Sequence, residues 1–305
     1  MRRILLWMAR NGWLKDHLPK LPFARRAVRR FMPGERLADA LAAADRENAA
    51  GFGVLFTRLG ENLTELAQAD EVAAHYHDVL ERGRLRARVI EISVKPTQLG
   101  MDIDPEACER HCRELAAHAR EAGSWFWLDM EGSSYTEATV ALYERLKRDH
   151  DRVGIALQAY LKRTAADLQR ILPIRPCVRL VKGAYDEPDA IAYRSKASVD
   201  GNYQSLAVTL AEAARDGRAR LALGTHDSDL VERIAVSAKA IGAPRRVLEV
   251  HMLYGIRRNE LSRLAACGHP VHSLVAYGES WYAWYMRRLA ERPANVVFAL
   301  RQLLP

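Results

Sequence analysis

Eight short runs of apolar and β-branched residues recur along this 305-residue chain, and amphipathic stretches of about 10–20 residues separate them. Each run has the length and composition of a buried strand, and each stretch between them has the periodicity of a helix. The predicted strands are Gly53–Leu59, Val89–Lys95, Trp125–Met130, Gly154–Tyr160, Val178–Gly183, Arg220–His226, Val247–Leu253 and Val271–Gly278. Strands that alternate with helices pair in parallel, and eight such units in about 250 residues predict a closed (βα)8 barrel.

The predicted helices between the strands begin near residues typical of helix caps, such as Asp104 before Pro105. They are Leu63–Glu81, Pro105–Glu121, Thr136–Asp149, Ala165–Ile171, Asn202–Arg215, Asp229–Ala240 and Asn259–Cys267. After the last strand, Glu279–Glu291 is an aromatic and basic helix candidate, and a final helix is expected at about Ala294–Leu303. No strand is followed by GxGxxG and no GxxxxGK[ST] occurs, so Rossmann and P-loop folds lose their main support.

The net charge of +8 comes from the first 30 residues, which hold nine Lys or Arg and one Asp. We therefore divide the chain into a basic helical arm at 1–45 and a barrel at 46–305, and we expect no nucleic-acid binding. The arm also carries Trp7, Trp13 and Phe23, so it either caps the barrel or lies on an anionic membrane surface. We predict no secretion signal and no membrane-spanning segment, because the apolar run Ile4–Ala9 is too short for either. A cytoplasmic protein is predicted, with peripheral contact at the inner membrane face left open.

The four cysteines form no CxxC pair, which fits a reducing compartment. Cys108, His111 and Cys112 share one face of a predicted helix, a spacing that could hold a metal. Because no second cluster completes such a site, we predict no metal.

In a (βα)8 barrel the functional groups lie at the carboxyl ends of the strands. Polar residues at or just beyond those ends are Lys95, Asp129, Gln158, Arg179 and Lys182. Such a ring has enough charge and enough donors for a polyanionic cofactor. The run Val181–Ala184 (VKGA) also brings backbone N–H groups close to a phosphate or a ring edge.

Arg287 and Arg288 lie beside each other on the aromatic helix candidate, in a run that contains Trp284 and Tyr285. That composition indicates a largely buried helix, and buried arginines need anionic partners. A substrate carboxylate is a natural partner for two guanidinium groups, and Glu291 can orient one of them from i, i+4 spacing.

Seven motifs resemble, in order, those of the proline dehydrogenase family. They are SVKPTQLG (Ser93–Gly100), LDMEGSSYT (Leu128–Thr136), LQAYLKRT (Leu157–Thr164), RLVKGAYDE (Arg179–Glu187), GTHD (Gly224–Asp227), MLYGIRR (Met252–Arg258) and YMRRLAERPANV (Tyr285–Val296). RFMPGE (Arg30–Glu35) and LGEN (Leu59–Asn62) resemble its monofunctional bacterial members. Each motif is weak alone, but seven in register are specific.

The resemblance implies FAD, a distorted (βα)8 barrel and a last helix over the barrel mouth. It assigns catalytic roles to Asp129, near the substrate, and Arg179, near flavin N5. Substrate-binding positions are Lys95, Tyr185, Leu253, Leu274, Trp284, Arg287 and Arg288. Cofactor-binding positions are Met130, Gln158, Val181, Lys182, Gly183, Ala184, Thr225, His226 and Glu291.

The implied reaction oxidises L-proline to Δ1-pyrroline-5-carboxylate by hydride transfer to flavin N5, the first step of proline catabolism, with a quinone-type acceptor. The amine must be neutral to release hydride. A pocket that contains Lys95, Arg287 and Arg288 disfavours another positive charge and so lowers the pKa of the bound amine.

The chain departs from the family pattern around the substrate ring. Leu274 and Trp284 stand where the family usually has tyrosines, and Ala276 stands where it has proline. Either the changes are neutral, or the substrate is 4-hydroxyproline or another modified cyclic amino acid.

Two interpretations from other classes remain at this point. Lys95 or Lys182 could form a Schiff base in a barrel lyase or aldolase, if apolar surroundings activated it. A non-catalytic scaffold is the other, and the set of charged residues at the predicted mouth argues against it.

Overall fold

Eight parallel strands form a closed barrel in chain order, with β8 paired to β1. The computed structural model describes residues 7–8, 11–18, 21, 28, 31–60 and 63–291, without the side chains at 15, 16, 287, 290 and 291. The strands are β1 Gly53–Arg58, β2 Ile90–Val94, β3 Phe126–Leu128, β4 Val153–Gln158, β5 Cys177–Val181, β6 Arg220–Gly224, β7 Leu248–Leu253 and β8 Val271–Tyr277. The predicted (βα)8 barrel is confirmed.

Helices follow the strands and cover the outside of the barrel. The described helices are α1 Gly12–His17, α2 Leu37–Ala49, α3 Leu66–Gly83, α4 Pro105–Glu121, α5 Ser133–Asp149, α6 Thr164–Ile171, α7 Lys196–Arg215, α8 Ser228–Ala240, α9 Arg258–Ala266 and α10 Trp281–Glu291. Short 3-10 helices occupy Pro96–Leu99, Leu172–Ile174 and Arg245–Val247. The predicted last helix at 294–303 lies outside the described residues.

Local capping explains where several helices begin. The Asp104 carboxylate accepts hydrogen bonds from the backbone N–H groups of Glu106 and Ala107, both at 3.0 Å, and Pro105 takes the first helical position of α4. Ser195 caps α7 in the same way, so that helix begins at Lys196, six residues before the predicted start.

Most of the predicted strands extend one or two residues too far at their carboxyl ends. Lys95, for example, begins the 3-10 helix Pro96–Leu99 instead of continuing β2. Asp129 follows β3, although its N–H still bonds to the Val94 carbonyl at 2.9 Å. These polar residues leave the sheet, and they therefore lie at the mouth of the barrel.

Successive side chains of each strand point alternately outward to the helices and inward to the barrel axis. Outward residues such as Val54, Ile92 and Val250 are fully buried in the main core with the helices. Inward apolar residues form a separate cluster, in which Leu274 packs with Leu55, Trp127, Cys177 and Ala222. The barrel interior is thus a packed core at mid-height with polar layers at both ends.

Helix α2 was not predicted, and it packs beside β1 and β8 through Ala40, Leu41 and Ala44. It occupies the outer position that would otherwise belong to a helix after β8. It also runs across position 45–46, while the division into arm and barrel stays a prediction.

Helix α10 packs at the carboxyl ends of the strands. Trp281, Trp284 and Tyr285 are buried in a cluster that also holds Leu59 and Ala276, from just after β1 and from the end of β8. Met8, Leu14 and Leu18 of the N-terminal arm pack on the same cluster. None of the described helices is long and apolar enough to cross a membrane.

Candidate active site

Three side chains from different strands meet at the centre of the barrel mouth. Ser93 Oγ donates a hydrogen bond to Asp129 Oδ1 at 2.8 Å. Arg179 Nη2 donates to Ser93 Oγ at 2.8 Å and also bonds to Asp129 Oδ1. The structure therefore brings the two predicted catalytic residues together and adds Ser93, which sequence reasoning missed. Its position two residues before Lys95 on the same inward face of β2 was the available signal.

Arg179 is almost fully enclosed, with 5% of its surface exposed. Its Nη1 is buried and has no hydrogen-bond partner among the described residues. The guanidinium lies 5.5 Å from the centroid of the Trp127 ring, which forms a floor beneath it. A buried cationic donor without a partner is costly, so this nitrogen fits an acceptor that a bound molecule would supply.

A second layer of hydrogen bonds fixes the loop after β3. Glu131 accepts from Thr97 Oγ1 at 2.8 Å and from the Thr97 N–H at 3.2 Å, while Gln158 Nε2 donates to the Glu131 carbonyl at 2.8 Å. Burial raises the pKa of Glu131 above its ordinary value. Gln158 thus lies at the mouth as predicted, and Glu131 is a further acid that the sequence analysis did not select.

Lys95 contacts the segment after the neighbouring strand β1, with its Nζ 3.5 Å from the Gly60 carbonyl. The Gln98 amide holds the same segment through the Arg58 and Gly60 carbonyls, both at 2.9 Å. The Lys95 ammonium is half-buried and also acts on Glu131, whose pKa it lowers against the effect of burial.

Lys182 has a different environment from the other cations. Its Nζ lies 2.5 Å from Asp200 Oδ1 and 2.9 Å from Asp227 Oδ2, and Lys196 binds the same two carboxylates. These pairings hold the pKa of Asp227 below its ordinary value, against the effect of burial. Lys182 therefore joins β5 to α7 and to the loop after β6, and it is not the desolvated lysine that a Schiff-base mechanism needs.

Gly183 continues β5 into a tight backbone position with φ of 115°. A Cβ there would lie 2.1 Å from the Tyr160 ring, so a side chain fits neither the space nor the conformation. Beside it, His226 Nε2 accepts a hydrogen bond from the Leu253 N–H at 3.3 Å, and Thr225 Oγ1 accepts from the Asp227 N–H at 3.2 Å. Bare backbone and polar side chains thus meet at the ends of β5 and β6.

The other predicted positions line the same end of the barrel or lie on α10. Partly buried residues are Val181, Ala184, Tyr185, Leu253 and Leu274, whereas Met130 and Trp284 are buried. Arg288 lies on α10 and is partly buried. The side chains of Arg287 and Glu291 lie outside the described residues, so their roles stay predictions.

Comparison with known proteins identifies the family. The sequence model described as "Proline dehydrogenase" matches residues 40–301. This chain belongs to the proline dehydrogenase family. It is 31% identical over 304 residues to "Proline dehydrogenase 1" of Bacillus subtilis subsp. natto, covering 100% of this chain and 99% of that one. It is also 31% identical over 280 residues to "Proline dehydrogenase" of Deinococcus radiodurans, covering 90% and 89%.

The fold comparison agrees with this family. Proline utilization A from Bdellovibrio bacteriovorus, in a crystal structure of the protein inactivated by N-propargylglycine, superimposes with a TM-score of 0.81 at 20% identity. The match covers 95% of this chain and 38% of that one, so this chain corresponds to about two fifths of that larger protein. Membership of the proline dehydrogenase family makes this protein an oxidoreductase that acts on the CH–NH group of proline, which replaces the lyase and scaffold alternatives.

The residues at the mouth fit a flavin, which the family generally uses. The buried Arg179 Nη1 offers a donor to an electron-rich ring edge, and the cradle at Gly183 leaves backbone that a planar group can approach. The inward residues Val181, Leu253 and Leu274 are only partly buried, while their outward neighbours Leu180 and Val275 are fully buried. That contrast marks an open, partly apolar recess above the barrel core.

Proposed function

We propose that this chain oxidises L-proline to Δ1-pyrroline-5-carboxylate with FAD bound at the barrel mouth. The observation that carries the proposal is the Ser93–Asp129–Arg179 cluster, in which the buried Arg179 keeps one nitrogen for a ligand. FAD, when bound, supplies the electron acceptor for the hydride that leaves the carbon next to the proline nitrogen. Met130, Gln158, Gly183, Thr225 and His226 are the residues proposed to hold it. Val181, Lys182, Ala184 and Glu291 belong to the same proposed set.

Asp129 and Ser93 keep the Arg179 guanidinium in one orientation, because each accepts a hydrogen bond from the same Nη2. Arg179 then provides a fixed positive charge where negative charge accumulates as electrons arrive, without reorganisation during the reaction. Trp127 supports the guanidinium from below. We propose that Arg179 is the main electrostatic catalyst of this enzyme.

We propose that the substrate carboxylate is bound by Lys95 with Arg287 and Arg288. The positive charge that gathers there disfavours an ammonium and so favours the neutral amine, which alone can release hydride. Leu253, Leu274, Trp284 and Tyr185 would enclose the ring. Leu274 packs beside Leu55 and Trp127, so this wall is apolar.

The product test uses the purified protein, L-proline and a dye acceptor. We expect a product with two hydrogens fewer than proline by mass spectrometry, and no turnover without flavin. A colourless protein that is inactive with added FAD would contradict the proposal.

4-Hydroxyproline is the alternative substrate, because Leu274 leaves more room than a tyrosine would. Leu274 has no group that could hydrogen-bond to a ring hydroxyl, however, and this favours proline. We propose proline as the preferred substrate. Introducing a phenol by Leu274→Tyr should change the ratio of kcat/KM for proline and trans-4-hydroxyproline by about 10-fold, within the usual ~1–3 kcal/mol for such pocket changes. Wild-type preference for hydroxyproline would overturn this choice.

We propose a quinone in an anionic membrane as the final acceptor, reached through the N-terminal arm. Trp7 and Trp13 are 61% and 66% exposed, while Leu14 and Leu18 of the same arm pack inward. Replacing both tryptophans by serine leaves the inner packing intact. It should abolish flotation with vesicles of phosphatidylglycerol and leave dye-linked activity unchanged. Undiminished flotation would contradict membrane binding through these tryptophans and would mean that the arm only caps the barrel.

A further inference from the structure

A cluster of charged residues lies inside the barrel at the end opposite the mouth. It consists of Glu91 on β2, Arg220 on β6, Glu249 and His251 on β7, and His272 on β8, and we call it the lower cluster. Four of them stand at or near the amino ends of their strands, whereas His251 lies in the middle of β7; all five face the barrel axis. Charged side chains are rarely placed in such an interior without mutual compensation.

Arg220 joins a carboxylate on the neighbouring strand β7 to one on β2 across the barrel. Its Nε and Nη2 donate to the two oxygens of Glu249 at 2.8 and 2.7 Å, and Nη2 also donates to Glu91 Oε1 at 2.7 Å. The guanidinium stacks on Trp125 and Trp127, at 4.3 and 5.0 Å from the ring centroids. The bidentate contact uses one lone pair on each Glu249 oxygen, so the carboxylate can still accept from a further donor.

The His272 ring lies between two carboxylates, next to a glycine on the neighbouring strand. Its Nδ1 lies 2.7 Å from Glu249 Oε1, and its Nε2 lies 3.7 Å from Glu91 Oε1. Gly53 pairs with His272 across the β1–β8 ladder, and a Cβ on Gly53 would lie 2.3 Å from the imidazole. The glycine therefore makes room for the ring between the two carboxylates.

The fixed charges of the lower cluster do not balance. Glu91 and Glu249 bring two negative charges and Arg220 brings one positive charge, so one further positive charge would neutralise the cluster. His251 does not supply it, because burial lowers its pKa to about 4. Burial also acts to lower the pKa of His272, but the Glu249 carboxylate outweighs it and raises that pKa above its ordinary value. A divalent metal ion would overshoot the balance and compete with Arg220.

The lower cluster is connected to the active site through Trp127. The ring lies between the Arg220 and Arg179 guanidinium groups, and its Nε1 donates to Glu91 Oε2 at 2.6 Å. His272 and His251 are paired in the β7–β8 register, and two residues further on Leu253 and Leu274 are paired in the same way. On β7 and β8, the residues proposed to face the substrate thus lie only two positions beyond residues of the lower cluster.

We propose that the lower cluster binds one proton on His272, and that this charged imidazole is a positioning element for the substrate pocket. It ties β8 to β7 through Glu249 and to β2 through Glu91, and so holds Trp127, Leu253 and Leu274 in place. The side chain of His272 is 17% exposed, which leaves a path for exchange of the proton with solvent. The kinetic part of the inference rests on the proposed oxidation of proline, whereas the binding of the proton does not.

The first test measures Tm of the holoenzyme against pH for the wild type, His272→Arg, His272→Gln and the control His150→Gln. A raised pKa means that the stabilisation is complete below about pH 6.5 and is lost as pH rises through the folded-state value. Relative to His272→Arg, which keeps the charge, the wild type should lose about 2–4 °C between about pH 6.5 and 9. His150→Gln should follow the wild type.

The second test measures kcat and KM for proline over the same range. KM of the wild type should rise with pH by up to about tenfold more than KM of His272→Arg, while kcat changes little. His272→Gln should show the high KM at every pH. If this variant does not fold, the comparison of the wild type with His272→Arg decides.

Parallel pH profiles of Tm in the wild type and His272→Arg would overturn the inference. Stoichiometric metal in the wild type, absent from His272→Gln, would also overturn it. Absence of any proline oxidation would instead refute the proposed function, and the Tm profiles would still decide whether His272 holds the proton.

Discussion

The two ends of the barrel interior each contain an inward arginine bound to carboxylates, but their charge balance differs. At the mouth, the cations Lys95 and Arg179 equal the carboxylates Asp129 and Glu131 in number. In the lower cluster, Glu91 and Glu249 outnumber Arg220. Trp127 lies between the two arginines and is shared by both ends.

The same strands thus carry the proposed catalytic residues at their carboxyl ends and a stabilising charged cluster near their amino ends. The proposed contribution of Arg287 and Arg288 would make the open end positive, which suits a substrate that carries a carboxylate. Excess negative charge at the other end retains a proton and holds the strands together. The active site of this proline dehydrogenase family member therefore stands on a second charged layer, which the chemistry itself does not touch.

Removing the arginine at the mouth should have the largest effect on activity. Arg179→Gln eliminates the fixed charge and the donor, so kcat/KM for proline should fall by about 10²–10³. Tm should change by only a few degrees, so the loss of activity would not be explained by unfolding. Arg148→Gln, on the outer end of α5, is the control and should retain full kcat/KM; an equal loss there would show that the effect is not local.

Removing a carboxylate at the lower end should affect stability more than activity. Glu249→Gln leaves Arg220 with one buried anion instead of two. It should lower the free energy of unfolding by about 3 kcal/mol in urea titrations. The folded enzyme should keep most of its kcat. A variant with unchanged stability but strongly reduced kcat would reverse the roles given to the two ends.

Trp127→Phe probes the group that both ends share. It removes the Nε1 donor to Glu91, and it should cost about 1–3 kcal/mol of stability because a buried acceptor loses its partner. KM for proline should rise at the same time, since the floor under Arg179 is altered. If stability fell without any change in KM, Trp127 would not connect the two ends.

The smallest effect is expected outside the barrel. Glu137 pairs with Arg163 and Arg170 on the surface and is 60% exposed. Glu137→Gln should change the free energy of unfolding by less than about 1 kcal/mol and leave kinetics unchanged. A loss as large as that of Glu249→Gln would mean that burial does not distinguish these ion pairs.

Much of the fold was predictable because short apolar runs, typical of buried strands, alternate with stretches of helical periodicity. Helix α2 was missed, since Leu37–Ala49 is rich in alanine and no strand separates it from the basic residues of the arm. Ser93 and Glu131 were missed because neither is distinctive by type. Their placement follows from the inward parity of β2 and from the loop after β3.

The lower cluster was beyond sequence reasoning that looked only at the carboxyl ends of strands. Glu91 and His272 are 181 positions apart, and closure of the barrel alone brings them together. The parity of each strand would have marked these residues as inward, but their contacts depend on register. Gly53 also gives no sequence sign that it makes room for an imidazole.

The most direct test of proline oxidation at this barrel mouth is anaerobic titration of the purified protein with L-proline, followed by visible absorbance. We expect a yellow protein with about one flavin per chain, whose absorbance L-proline bleaches. In Arg179→Gln the same bleaching should be slower by about 10²-fold or more. A yellow wild-type protein that no cyclic amino acid bleaches, or an Arg179→Gln variant that is reduced at the wild-type rate, would contradict the proposed function.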